Sequence, residues 1–264
     1  MGAVLWLNEL PLWASAVVII GGSIALSIIG TAVSRLFFAE QLLSLDSAVG
    51  GFKYLFVAGI YASFLGFLLF GVYNRYDKLR AAIIEEVNEL TTLDRLAVVF
   101  PPGTRDPLRD GLKQYARQVV EVEWPQLRAR SVDPITMTAF DTLEQSYAAV
   151  EPTTRKQQEV MKQSRKILAE IRDKRGLRVL RSLGSLPVLL WAVTLLGTAA
   201  SIVLSWVLGS TNINAQMMMS ILTTLLMTSV VLVVLKLSYP FSGEYGIQPT
   251  PYLVFIKEVS ARGS

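Results

Sequence analysis

Cysteine and histidine are both missing from this chain. Without thiols there is no disulfide framework and no thiolate nucleophile. Without imidazole there is no histidine general base, and the usual zinc and haem ligands are gone. Charge is scarce as well, at 17% of residues against 52% apolar, with a mean hydropathy of +0.44 over 264 residues. That balance falls outside the soluble range. The first residues, MGAVLWLNELP, lack a basic stretch, and no small-residue cleavage site follows the first apolar run. That run is therefore expected to be a retained span.

The few charges are concentrated. Between Asn74 and Gly184 lie 20 of the 25 Lys and Arg and 16 of the 21 Asp and Glu, so the net +4 of the whole chain is the net charge of this window. A mixture so even makes a solvated surface, not a basic stripe, and nucleic acid is excluded as a partner. The rest of the chain is nearly uncharged, so two parts of one chain face two different solvents.

A bilayer core of ~30 Å needs about 20 apolar residues in a helix. Four stretches meet this: 12–38, 52–73, 186–208 and 217–239. None contains an acidic residue, and Arg35 and Lys236 stand near enough to span ends to snorkel. The loop GSTNINAQ between the third and fourth spans has no charge, whereas Arg75, Lys78, Arg80, Arg172, Lys174, Arg175, Arg178 and Arg181 flank the charged window. The positive-inside rule then places the window and both termini in the cytoplasm. Four segments are expected: a first helix pair (1–73), a cytoplasmic helical insert (74–184), a second helix pair (185–240) and a cytoplasmic tail (241–264).

The insert reads as helical. After Arg75, apolar residues recur at Leu79, Ile83, Val87, Leu90 and Ala97, and no breaker intervenes before the PPG at 101–103. The second span is thus expected to run on as one helix to about Val98. Asp106-Pro107 and Asp133-Pro134 each look like a cap followed by a first-turn proline, and a last helix is expected from Thr153 towards Arg181. No alternating strand pattern appears. Glu85, Glu86 and Glu89 have the spacing of a cation site, but they stand on a charged helix and read as a solvated face. No metal and no cofactor is expected. The fold class is an all-α membrane protein: four transmembrane helices with a helical insert between the second and third.

Four stretches, YASFLGFLLFGVYNRYDKLRAAIIEEVNEL, LRDGLKQYARQVVEVEWPQL, SLPVLLWAV and LKLSYPFSGEYGIQP, together resemble the bacterial bestrophin-like domain family of membrane proteins. The most specific parts are the triplet Glu123-Trp124-Pro125 and the run Pro240–Glu244. Ser238 and Tyr239 depart from the family pattern, which usually has an acidic and a basic residue there. The resemblance implies the architecture of the bestrophins, ion channels built as a ring of identical subunits whose second span lines a narrow apolar neck.

On the second span, Ile60, Phe64 and Phe67 share one side, and Ala58, Ala62 and Gly66 the other. Small residues at four-residue spacing are expected to pack against a neighbouring helix. A bulky stripe opposite faces either lipid or an axis. The rhythm Ile60, Phe64, Leu68 matches the bestrophin neck and selects the axis, where an apolar ring gates by dewetting. The expected function is therefore a homo-oligomeric ion channel in a bacterial inner membrane, with five copies favoured over four, in contact with lipid and small permeant ions. The alternative is a membrane-anchored sensor or interaction protein whose insert binds a partner. With no histidine, no cysteine and no acidic residue in the spans, an enzyme is not expected.

Overall fold

The computed structural model describes residues 7, 9–37, 47–130, 135–183, 186–207 and 212–262. All regular structure among them is helical. The chain divides into two compact units. One holds residues 1–75, 186–239 and 243–245; the other holds 76–185, 240–242 and 246–264.

The first unit carries four helices long and apolar enough to cross a membrane. The first span begins behind Pro11, runs as Leu12–Ala16, passes through a π-helical turn at Val17–Gly21 and continues as Gly22–Phe37. The second span opens the 51-residue helix Ser47–Ala97, about 75 Å long at 1.5 Å per residue. The third, Val188–Val207, starts on Pro187, whose carbonyl accepts from the amides of Leu190 and Trp191. The fourth, Ile213–Ser238, is capped by the Asn212 side chain, which accepts from the Asn214 amide at 3.0 Å.

This unit is built inside out. Its exposed side chains are apolar, while buried positions of the first, third and fourth spans carry Ser27, Thr31, Ser34, Thr194, Thr198, Ser201, Ser205, Ser220, Thr224 and Thr228. Lipid offers no hydrophobic drive for helix association, so close approach and interhelical hydrogen bonds must supply it. Both are present. A Cβ at Gly30 would lie 2.6 Å from the Trp206 indole, and one at Gly197 would lie 2.2 Å from the Tyr61 ring. Ser34 donates to the Trp206 carbonyl at 2.9 Å, and Ser220 to that of Ser205 at 3.0 Å.

Both cations expected to snorkel have acceptors within the protein. Lys236 is buried and donates to the carbonyls of Leu7 and Leu10 at 3.2 and 2.9 Å. Arg35 turns Nε and Nη2 to Gln216 Oε1 at 3.1 and 2.7 Å.

The second unit packs around one apolar cluster that includes Leu79, Ile83, Leu90, Leu112, Tyr115, Trp124, Phe140, Ile171, Phe241 and Tyr252. The long helix does carry its apolar stripe to Ala97 without a break. The next helix starts earlier than its Asp106-Pro107 signal suggested. It spans Pro102–Gln118, with Pro107 inside it, because Pro101 caps it and its carbonyl takes the amides of Thr104 and Arg105, both at 2.9 Å. It continues through a π-helical turn, Val119–Glu123, into Trp124–Ala129 and stops at Arg130, whose φ of 56° is left-handed. The Asp133-Pro134 signal lies outside the described residues; the helix after it is Ile135–Ala148. Arg155–Leu183 opens with a capping box. Thr154 Oγ1 accepts from the Gln157 amide at 3.2 Å, and Gln157 Oε1 accepts from the Thr154 amide at 3.3 Å. A further helix, Thr250–Arg262, lies in what read as a tail and buries Tyr252, Phe255 and Val259.

Candidate functional site

The second span presents three faces. Tyr61, Leu65, Leu68 and Val72 make the face used inside the chain. Tyr61 Oη donates to the Thr194 carbonyl and bonds Thr198 Oγ1 at 2.8 Å, while Leu68, 7% exposed, packs with Val72 and Val234. Beside it runs a bulky face, with Ile60 58% and Phe67 79% exposed. Phe64 sits at the border of the two, half-buried, its ring stacked on Tyr61 at 6.0 Å. The third face is small: Ala58 is half-buried, Ala62 and Gly66 are exposed, and a Cβ at Gly66 would meet nothing within 4 Å. The four bulky residues are thus divided, two facing outwards, one at the border and one in the interior. Tyr61, which joins this span to the third, was not foreseen from sequence; its partner, the glycine at 197, was the available signal.

The second unit holds a buried cluster of charge. Arg178, on the helix Arg155–Leu183, is completely buried. It donates through Nε and Nη2 to Glu123 Oε1 at 2.9 and 2.6 Å, and through Nη1 to Glu86 Oε2 and Tyr252 Oη. Arg175, one turn earlier, donates through Nε to Glu123 Oε2 at 3.0 Å. Tyr115 Oη donates to Glu86 Oε1 at 2.7 Å. Two carboxylates meet two guanidinium groups, and two phenols complete the hydrogen bonding. The π-helical turn ends at Glu123, where the extra residue per turn sets this carboxylate against Arg175 and Arg178.

Both glutamates touch Arg178, yet their acidities move in opposite directions. Burial lifts the Glu86 carboxyl, and Arg178 only partly offsets it. Burial also acts to lift Glu123, but there Arg178 and Arg175 together outweigh it and hold the group below the usual carboxylate range. One arginine does not cancel the desolvation of a carboxylate; two do. Burial alone would lower Arg178, and the two carboxylates raise it well above its ordinary value.

The expected solvated face at Glu85, Glu86 and Glu89 therefore needs correction. Only Glu85 is open, at 60% side-chain exposure, and Lys174 bridges it to Glu89. Glu86 points the other way, into the core. No cluster of three or more His, Cys, Asp or Glu placed to hold a metal occurs among the described residues. A second buried acid, Asp94, forms an ion pair with Arg109 at 2.8 Å and accepts from Arg262 Nη1 of the last helix at 3.2 Å.

The two most specific sequence stretches meet in this unit. Trp124 follows Glu123 and stacks edge-on with Phe241 at 5.3 Å and Tyr252 at 5.8 Å. Its indole donates to the Ile247 carbonyl at 3.1 Å. Arg128 accepts at its carbonyl from Ser242 Oγ at 3.2 Å. Buried, ion-paired acids of this kind fasten helices together.

The fold is shared with solved membrane proteins. A crystal structure of a membrane protein carrying a proline-to-alanine substitution matches with a TM-score of 0.75 at 12% identity, covering 92% of this chain and 97% of that one. A bacterial bestrophin homologue from Klebsiella pneumoniae with an isoleucine-to-threonine substitution matches with a TM-score of 0.73 at 12% identity, covering 91% and 99%. The same homologue with a tyrosine-to-alanine substitution gives 0.72 at 13% identity, covering 94% and 99%. No curated protein matches the chain by sequence. The model of the bestrophin-like domain matches residues 21–252, a stretch that holds most of the first span, the other three spans and the Glu123-Trp124 core, and the chain belongs to the bestrophin-like domain family.

Proposed function

We propose that this protein is a homo-oligomeric ion channel of a bacterial inner membrane, its subunits arranged as a ring of five, with four as the other closed ring. Its second span lines the axis, and its termini and insert lie in the cytoplasm. The observation that carries this reading is the pair of bare faces on the second span. Ile60 and Phe67 project from one, and Ala62 and Gly66 leave the other flat. A flat face of small residues fits a neighbouring helix, and closing a ring through it turns the bulky face towards the centre. Phe64 then supports the ring from behind and Leu68 holds the span to its own subunit. A narrow apolar ring repels water, and the hydrated ion with it, without any specific binding site. Membership of the bestrophin-like family supports the same reading.

The test is ion flux into liposomes containing the purified protein. Phe67→Ala should raise flux and leave the particle intact, since it widens and wets the ring without touching the packed face. Unchanged flux, in a preparation whose wild type conducts, assigns Phe67 to lipid. A wild type that passes no ions in either direction leaves the membrane-anchored interaction protein as the reading.

A further inference from the structure

The hydroxyls buried in the membrane unit do not all find partners. Several use a carbonyl of their own helix: Thr194 donates to Leu190 at 2.7 Å, Thr228 to Thr224 at 2.6 Å and Ser205 to Ile202 at 2.6 Å. Thr31 Oγ1 and Thr224 Oγ1 do neither this nor anything across helices; both are completely buried and meet no hydrogen-bond partner among the described residues. Each is a threonine in a helix, so the usual bond to the carbonyl four residues back is sterically open to it. Two completely buried hydroxyls, one on the first span and one on the fourth, are thus without a protein partner among the described residues.

The register of the spans says what surrounds them. The pairs Arg35–Gln216 and Lys236–Leu10 make the first and fourth spans antiparallel. One helical turn inward from Arg35–Gln216, Thr31 comes level with Ser220; a second turn inward, Ser27 comes level with Thr224. From the Ser220–Ser205 bond, one turn inward on the third and fourth spans brings Ser201 level with Thr224. Hydroxyls from all three spans therefore converge, and all of them are buried. A buried water is held where two to four polar groups converge on a space that bulk solvent does not reach, and this seam supplies them.

We propose that the seam between the first, third and fourth spans is a binding site for ordered water, with Thr31 and Thr224 as its protein ligands. Ordered water accepts or donates at each threonine hydroxyl and bridges Thr31 to Ser220, and Thr224 to Ser27 and Ser201. It ties three helices together where direct hydroxyl-to-hydroxyl bonds do not reach. The site is neutral, which suits water; the acidic group that a tightly held cation prefers is missing from the described part of the seam.

Thermal unfolding of the full-length protein in detergent tests this, with Thr224→Val and Thr31→Val compared against Thr224→Ser and Thr31→Ser. Valine keeps the shape and removes the hydroxyl. If water is bound, each valine lowers Tm by about 2–4 °C, and each serine leaves it near wild type. If the hydroxyls are dry and orphaned, valine raises Tm, and the proposal fails. A Tm that climbs with sodium or potassium chloride, but not with choline chloride at equal ionic strength, shows a bound cation and also overturns it. A high-resolution map of the wild-type particle gives an independent reading: a solvent peak within hydrogen-bond distance of Thr224 Oγ1 is expected, and a clean map there refutes the site.

Discussion

Arg178 decides more of the second unit than any other single side chain, because it satisfies Glu86, Glu123 and Tyr252 at once. Replacing it with methionine leaves Glu86 buried without a counter-charge, and breaking a buried pair from one side costs about 3–5 kcal/mol. Arg178→Met should therefore destabilise the protein strongly in thermal unfolding. Arg175→Met should do so less, since Glu123 keeps Arg178. The two glutamates also predict opposite pH dependences. Glu123 is depressed in the folded state, so its contribution is present above the ordinary carboxylate value and disappears as pH falls through its lower folded value. Glu86 is raised, so the folded state takes up its proton before the unfolded state does, and stability falls as pH rises from 4.5 through the raised value. In a series of Tm against pH, Glu86→Gln should flatten the part above 4.5 and leave the acid limb in place. A mutant curve parallel to wild type throughout contradicts the assignment of that part to Glu86.

Among the helices, packing in the membrane unit rests on two contacts in which a glycine meets an aromatic ring. Gly197 lets the Tyr61 ring lie against the third span, and Gly30 does the same for Trp206 against the first. Gly197→Ala forces a Cβ to 2.2 Å from Tyr61, which requires a helix to move. Overpacking of this kind costs about 1–3 kcal/mol. The mutant should unfold at lower temperature, and Tyr61→Leu in the same chain should restore part of the loss, because the two side chains occupy one space. Additive losses would mean that they do not. The π-helical turns mark a different device. One lies within the first span, and the other ends at Glu123.

For the whole molecule, the predictions concern orientation and assembly. The proposed orientation, with the insert in the cytoplasm, rests on the charge asymmetry. A cysteine at Thr211 should react with an impermeant thiol reagent from outside intact cells, and one at Gly103 should not; the reverse pattern inverts the orientation. In the proposed ring, assembly depends on the flat face of the second span. Ala62→Leu should dissociate or weaken the particle in native mass measurements in detergent, since the exposed Ala62 leaves no clash inside its own chain to explain such an effect. A wild type that is monomeric under the same conditions ends the channel reading.

Composition and periodicity by themselves determined the four spans, the all-helical class and the unbroken run of the second span to Ala97, because lipid solvation and helix spacing are local properties of a sequence. The motif Glu123-Trp124-Pro125 could be read as special, and so could Pro240–Glu244. That they share one core through Trp124 and Phe241 could not, because 116 residues separate the two rings in the sequence. Only the tertiary structure decided which charges are buried. Glu85 and Glu86 are neighbours of one type on one helix, and a rotation of 100° puts the first in solvent and the second against Arg178. The same holds for the second span: its sequence displays two opposite faces, and the third, through Tyr61, Leu65 and Leu68, is defined only by the helices that cover it. Burial belongs to the partner as much as to the residue, and the partner is chosen by the fold.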